Sequence, residues 1–153
     1  MKKIYLGSPI SKYVRNGMDK DYITVIDSVY ELLKKYGETY YPLKKEAYGK
    51  NKIAGSGDVC TKIDFDKVNE SDIIVVFPED SQGVSVEIGW ASAAQKNIVI
   101  FIDRKYHQSE LIRFIDTITP TKKVYIDTTN GYNKEKEKIL NEIKLYFSGG
   151  ENK

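Results

Sequence analysis

The segment Asp72-Ile-Ile-Val-Val-Phe-Pro78 does most to limit what this chain can fold into. It places four β-branched residues and a phenylalanine in an unbroken apolar row, with no polar position in between. A strand with one wet face would alternate, so this one reads as a strand buried on both faces, the pattern of a central strand in a parallel sheet. Covering both faces requires helices above and below, delivered by crossover connections. The residues that follow fit that demand. A glycine-bearing turn, Ser81-Gln-Gly83, leads into a helix expected over 86–96, whose Gly89, Ala91, Ala93 and Ala94 allow close approach to another element.

The rest of the chain alternates in the same way. Lys3 to Gly7 reads as a first strand ending in a glycine turn. Ile23, Val25, Ile26, Val29, Leu32 and Leu33 have helical spacing within 21–36, with Gly37 as the stop. Residues 38–43 suggest a second strand broken by Pro42, and the polar, glycine-bearing stretch 44–61 suggests a loop over the site. A short helix is expected over 63–71, strands over 98–102 and 123–126, and a short helix over 109–115. Ile139, Leu140, Ile143 and Phe147 line one face of an amphipathic helix over 133–147. The expected fold is α/β: a three-layer α/β/α sandwich with a mainly parallel sheet of about five strands, Rossmann- or flavodoxin-like in type. Residues 1–148 are expected to form a single domain and 149–153 a frayed tail.

Composition removes several classes of function. The 24 basic and 22 acidic residues are interspersed and leave a net charge of +2, which is no footprint for nucleic acid. No apolar run approaches the roughly 20 residues of a membrane span, and the apolar part of Met-Lys-Lys-Ile-Tyr-Leu-Gly is too short for a secretory signal, so a cytoplasmic protein is expected. The single cysteine, Cys60, cannot form an internal disulfide, and the only histidine is His107. Neither stands at metal-ligand spacing, so no metal and no cofactor is expected.

Chemistry concentrates near Glu87. Just beyond the carboxyl end of a central strand is where open α/β sheets bind ligands, and glutamate is rarely buried without a partner. A carboxylate near a helix start is also favoured by the helix dipole alone, which is the plainer reading. The turns at Gly7-Ser8 and Ser81-Gln-Gly83 should open at the same sheet edge. They offer backbone N–H groups and hydroxyls to a phosphate or a sugar, with Lys12 and Arg15 nearby. Neither turn is a dinucleotide or Walker motif. Asp64 or Asp66 supplies a second carboxylate, and two carboxyl groups around a sugar can break a glycosidic bond. Asp72 reads as a strand-terminating cap. The cluster Tyr36, Tyr40, Tyr41 and Tyr48 offers flat faces to a planar ligand.

With these residues in place, the chain resembles the nucleoside 2-deoxyribosyltransferase family, including its relatives that hydrolyse nucleoside 5'-monophosphates. The resemblance spans residues 3 to about 102. It rests on Ile4-Tyr-Leu-Gly-Ser8, on Tyr41-Pro-Leu43, on Asp64 followed by Ser71-Asp72 and the apolar strand, and on Gly83-x-x-x-Glu87-x-Gly89-x-Ala91. It implies that Glu87 is the nucleophile forming a glycosyl-enzyme intermediate, that Tyr5 positions it, and that Asp64 serves the base or its proton. Gly7, Ser8 and Gly83 match the turns that hold the sugar and any 5'-substituent.

The implied function is cleavage of the N-glycosidic bond of a (2'-deoxy)nucleoside or its 5'-monophosphate, with the sugar passing to water or to an acceptor base. The partners implied are a small-molecule nucleoside or nucleotide substrate and further copies of the chain, as a dimer or higher homo-oligomer. Ser81 stands where the transferases tend to carry an acid and the monophosphate hydrolases a serine that holds phosphate. The hydrolases carry an arginine soon after the Gly-Ser turn. Here Pro9 and Ile10 intervene, and Arg15 is the nearest substitute. The alternative is a non-catalytic nucleotide-binding sensor in which Glu87 contacts only a sugar hydroxyl.

Overall fold

The computed structural model describes residues 1–10, 13, 19–45 and 57–149. Five strands form one sheet: β1 (Lys3–Gly7), β2 (Glu38–Tyr40), β3 (Ile73–Val76), β4 (Asn97–Asp103) and β5 (Thr121–Ile126). Their order across the sheet is β2-β1-β3-β4-β5, and every neighbouring pair is parallel. The helices are α1 (Lys20–Leu33), α2 (Pro42–Lys45), α3 (Gly57–Glu70), α4 (Gln82–Ala93), α5 (Glu110–Arg113) and α6 (Tyr132–Ser148), with 3-10 turns at Ile115–Thr117 and Thr128–Asn130. The result is the expected three-layer α/β/α arrangement.

Alternation along the strands divides the core in two. Ile4, Leu6, Val75, Phe77, Val99, Phe101 and Val124 point to the face covered by α1 and α6, where they meet Val25, Ile26, Val29, Ile139 and Ile143. Tyr5, Ile74, Val76, Ile98 and Ile100 point to the other face, against Val68 of α3 and Val84, Ile88 and Ala91 of α4. All four residues of β3 are buried, as its unbroken apolar row requires. The sheet order changes direction between β1 and β3, and the chain leaves both strands at the same edge. That is the switch point where doubly wound sheets open a crevice.

Among the boundaries that differ from the sequence expectation, two move site residues. Helix α4 starts at Gln82 rather than 86, because Ser81 caps it by accepting the Val84 N–H at 3.3 Å. Glu87 therefore lies in the second turn of the helix, not at its start. Helix α3 begins at Gly57 rather than 63, with the Thr61 hydroxyl bonded back to the Gly57 carbonyl. Asp64 thus sits mid-helix. Strand β2 stops at Tyr40 because Pro42 opens α2, the position where a missing N–H is harmless. Of the loop expected over 44–61, residues 44–45 and 57–61 are helical and 46–56 lie outside the described residues.

Candidate active site

Helix geometry delivers Glu87 to the sheet. Val84, Glu87, Ile88 and Ala91 follow the i, i+3, i+4, i+7 spacing of one stripe, and the three apolar members are buried against β3 and β4. Glu87 therefore points inward, toward β1. On β1 the two-residue period places Tyr5 and Gly7 on that same face. The Tyr5 hydroxyl donates to Glu87 Oε1 at 2.9 Å. Gly7 makes room for the rest of the carboxylate: a Cβ at this position would stand 2.5 Å from Glu87 Oε2, 3.0 Å from Val76 Cγ1 and 3.3 Å from Tyr5 Cε1. The glycine is needed here for close approach.

The two carboxylate oxygens have different environments. Oε1 holds the phenol, whereas Oε2 is buried with no hydrogen-bond partner among the described residues. Burial pushes the Glu87 carboxyl up to about 8, the Tyr5 hydrogen bond pulls it back, and the charge of Asp64 raises it again. Burial, together with the adjacent Glu87 and Asp64 charges, holds the Tyr5 phenol far above its ordinary range, so Tyr5 remains a donor. Glu87 is thus a carboxyl poised near neutrality, oriented through one oxygen and with the other left for a ligand.

That ligand space is a cleft of about 550 Å³ at the switch point. Ser8, Pro9 and Ile10 after β1 form one wall, residues 80–84 after β3 form the other, and Asp64 and Glu87 lie along it. Ser8 Oγ is buried and has no hydrogen-bond partner among the described residues. Ser81 and Gly83 stand at the start of α4, where N–H groups favour anions. Asp64 shares the inward side of α3 with Val68, four residues on. Asp66 instead pairs with Lys62 at 3.0 Å on the exposed side. Asp72 accepts the Lys3 N–H at 2.8 Å and ties β3 to β1, as a terminating acid should. Arg15 and Lys12 lie outside the described residues. Among the described residues, no group of three or more His, Cys, Asp or Glu side chains is gathered as for a metal ion, and no helix is long and apolar enough to cross a membrane.

The tyrosine cluster does not face a ligand as a set. Tyr36 stacks on Phe147 with ring centroids 4.7 Å apart, and Tyr41 packs against Tyr30 at 5.7 Å. Tyr40 stacks on Tyr5 at 5.7 Å and so supports the site from behind. Tyr48 lies outside the described residues. The sequence reading missed Asp80 and Gln82 in the cleft wall, and it missed Glu79, buried beneath that wall. A charged run such as Pro78-Glu-Asp-Ser81 gives no sign, without the fold, of which carboxylate turns inward.

Comparison with known proteins agrees with this geometry. A family profile described as nucleoside 2-deoxyribosyltransferase matches residues 4–143. No curated protein sequence matches the chain. Among solved structures, the Clostridium botulinum CMP N-glycosidase BcmB is 27% identical, covering 95% of this chain and 99% of its own, with a TM-score of 0.69. BlsM in solution is 22% identical over 94% of each chain, with a TM-score of 0.63. A 2-deoxyribosyltransferase from Bacillus psychrosaccharolyticus is 18% identical, covers 90% of this chain and 95% of its own, and has a TM-score of 0.54. The last two show likeness of fold. With the profile covering nearly the whole chain and every strand of the sheet, this protein is an enzyme that belongs to the nucleoside 2-deoxyribosyltransferase family.

Proposed function

We propose that the enzyme cleaves the N-glycosidic bond of a nucleoside 5'-monophosphate through a glycosyl intermediate on Glu87. The observation that carries this reading is Glu87, which lines the cleft with Tyr5 holding Oε1 and with Oε2 left without a hydrogen-bond partner among the described residues. In the first step Oε2 attacks C1', the C1'–N bond breaks, and its electron pair leaves with the base. Asp64, on the same cleft, delivers the proton the base needs. In the second step water attacks C1', Asp64 takes up its proton, and Glu87 is released as a carboxylate. Both steps pass through an oxocarbenium-like state, whose positive charge the Glu87 carboxylate stabilises.

The phosphate assignment draws on the CMP N-glycosidase likeness, on Ser81 and on the α4 N-terminus beside it. Ser81 Oγ accepts from Val84 N–H, and its own proton serves a phosphate oxygen. A second reading, deoxyribosyl transfer between bases on an uncharged nucleoside, is favoured by the three carboxylates, Asp64, Asp80 and Glu87, that line the cleft. The test is release of free base from matched nucleosides and 5'-monophosphates, ribo and deoxy, with and without an acceptor base. A monophosphate preference of about 100-fold in kcat/KM is expected from two charge-assisted contacts. Equal values, or a requirement for the acceptor base, would establish the transferase reading instead.

The enzyme is also proposed to act as a homodimer or larger assembly. Phe65 and Val86 on α3 and α4, with Leu111, Phe114 and Ile118 beyond β4, leave large apolar side chains in water. A 17.5 kDa species alone in light scattering at micromolar concentration would overturn this.

A further inference from the structure

We propose that Glu79 is a positioning residue, holding the two walls of the cleft at a fixed separation through a buried set of tyrosines. The inference rests on the glycosidase reading above for its kinetic arm only.

Three observations converge on Glu79. Its side chain is 3% exposed, although it directly precedes the cleft residue Asp80. Its φ is +44°, in the left-handed region that a residue with a Cβ occupies only when its surroundings impose it. Its polar groups are bound to several distant parts of the chain. The Tyr13 hydroxyl stands 2.8 Å from both carboxylate oxygens, the Tyr132 hydroxyl donates to Oε1, and Gln108 Nε2 donates to the Glu79 carbonyl.

From Tyr13 the connection runs to the opposite wall. The Tyr13 ring lies on that of Tyr22 at 3.6 Å between centroids, 10° from parallel. The Tyr22 hydroxyl donates to the Pro9 carbonyl at 2.6 Å, and Pro9 lines the cleft. The wall after β3 and the wall after β1 are therefore linked through Glu79, Tyr13 and Tyr22, with Tyr132 anchoring the carboxylate to the start of α6. Burial, and after it the charge of Glu79, keeps the Tyr13 phenol well above its ordinary range, so the donor is present at every working pH.

A carboxylate suits this place because each of its two oxygens can accept a phenol proton. An amide offers one acceptor oxygen and turns an NH₂ group toward the other phenol. Glu79 does not line the cleft. Its effect on substrate passes through the backbone of Asp80 and Ser81 and through Pro9.

The test uses the full chain with Glu79→Gln, Glu79→Gly and Tyr132→Phe. For each, KM and kcat are measured on the best wild-type nucleotide, together with amide hydrogen exchange at residues 7–10 and 80–84 against β4. Glu79→Gln is expected to raise KM about 10-fold with kcat within about 3-fold, and to speed exchange in the two walls while β4 stays protected. Glu79→Gly frees the left-handed backbone but lacks the carboxylate, and should be no better than Glu79→Gln. Wild-type KM and wall exchange in either variant would overturn the proposal, as would exchange that rises equally across the sheet. If neither Glu79 variant folds, Tyr132→Phe carries the same measurements with the carboxylate in place. If wild type releases base from no nucleotide, the glycosidase reading fails separately, and wall exchange alone decides the role of Glu79.

Discussion

Glu79 and Glu87 stand eight residues apart, the first within the turn that leads from β3 into α4 and the second in the helix's second turn, and both are drawn inward. Their surroundings give them opposite characters. Both oxygens of Glu79 meet a phenol hydroxyl, and its backbone is locked. Glu87 has one oxygen held by Tyr5 and the other buried against Gly7 without a partner among the described residues. A satisfied buried carboxylate organises structure, while a half-satisfied one holds unspent interaction for a ligand. The same side chain thus yields a strut in one place and a reactive group in the other, according to how many donors the fold supplies.

The sharpest way to break this contrast is to remove the unsatisfied oxygen. Glu87→Gln keeps the shape and a Tyr5 contact but has no anionic oxygen for C1'. Base release should fall at least about 100-fold, roughly 2.7 kcal/mol of transition-state stabilisation, with the fold retained by circular dichroism. Near-normal turnover would make Glu87 a second structural carboxylate.

Filling the space beside Oε2 should act next most strongly. A Gly7→Ala methyl group lands 2.5 Å from that oxygen and against Val76 and Tyr5, so the carboxylate must move. A loss of about 30-fold in kcat is expected, within the 1–3 kcal/mol typical of overpacking. If kcat is unchanged while stability drops, the closeness of Gly7 to Glu87 serves packing alone.

How much of this was legible beforehand differs between the two carboxylates for the same physical reason. The strand-helix alternation and the buried β3 row predicted the three-layer sheet, because periodicity and β-branching are local properties. Glu87 stood out because it follows a glycine turn and interrupts a stripe of small apolar residues. Glu79 gave no signal, since its partners Tyr13, Gln108 and Tyr132 come from distant segments and meet only in the folded chain. Helix α4 starts four residues earlier than its sequence pattern predicts, because Gly83 and Ser85 are poor helix formers and the cap from Ser81 outweighs them. Tyrosine clustering misled for a related reason: Tyr36 and Tyr41 fill gaps under α1 and α6, and nearness in sequence did not bring them to one cleft.

Tyr5 tests the single donor that Glu87 does have. Tyr5→Phe should lower kcat about 10-fold while KM changes little, the pattern of an interaction stronger in the transition state. Its pH signature is more specific. Attack needs ionised Glu87 and departure of the base needs protonated Asp64, so kcat/KM of the wild type should be bell-shaped, with one limb set by Glu87 near pH 8. The Tyr5 hydrogen bond lowers the Glu87 value, so its loss should move that limb to higher pH. A limb that stays in place would show that Tyr5 contacts the carboxylate without tuning it.

Stability separates the two carboxylates by sign. Glu87 has its ordinary value of 4.5 in the unfolded chain and about 8 in the folded one, so the folded state binds its proton more tightly. Its contribution is fully present below about 4.5 and is lost as pH rises through 8. Glutamine carries no charge to desolvate, so the Glu87→Gln protein should gain on the wild type as pH rises. The gain should be small at pH 5 and rise steadily to pH 9, read as a growing difference in Tm between the variant and the wild type. Glu79→Gln should lose stability instead, because a phenol that had an acceptor is left without one inside the protein. Melting curves of both variants at the two pH values read the comparison directly. If both shift Tm in the same direction at pH 9, Glu79 and Glu87 are not a strut and a reactive group, and the donor count around each carboxylate does not set its role.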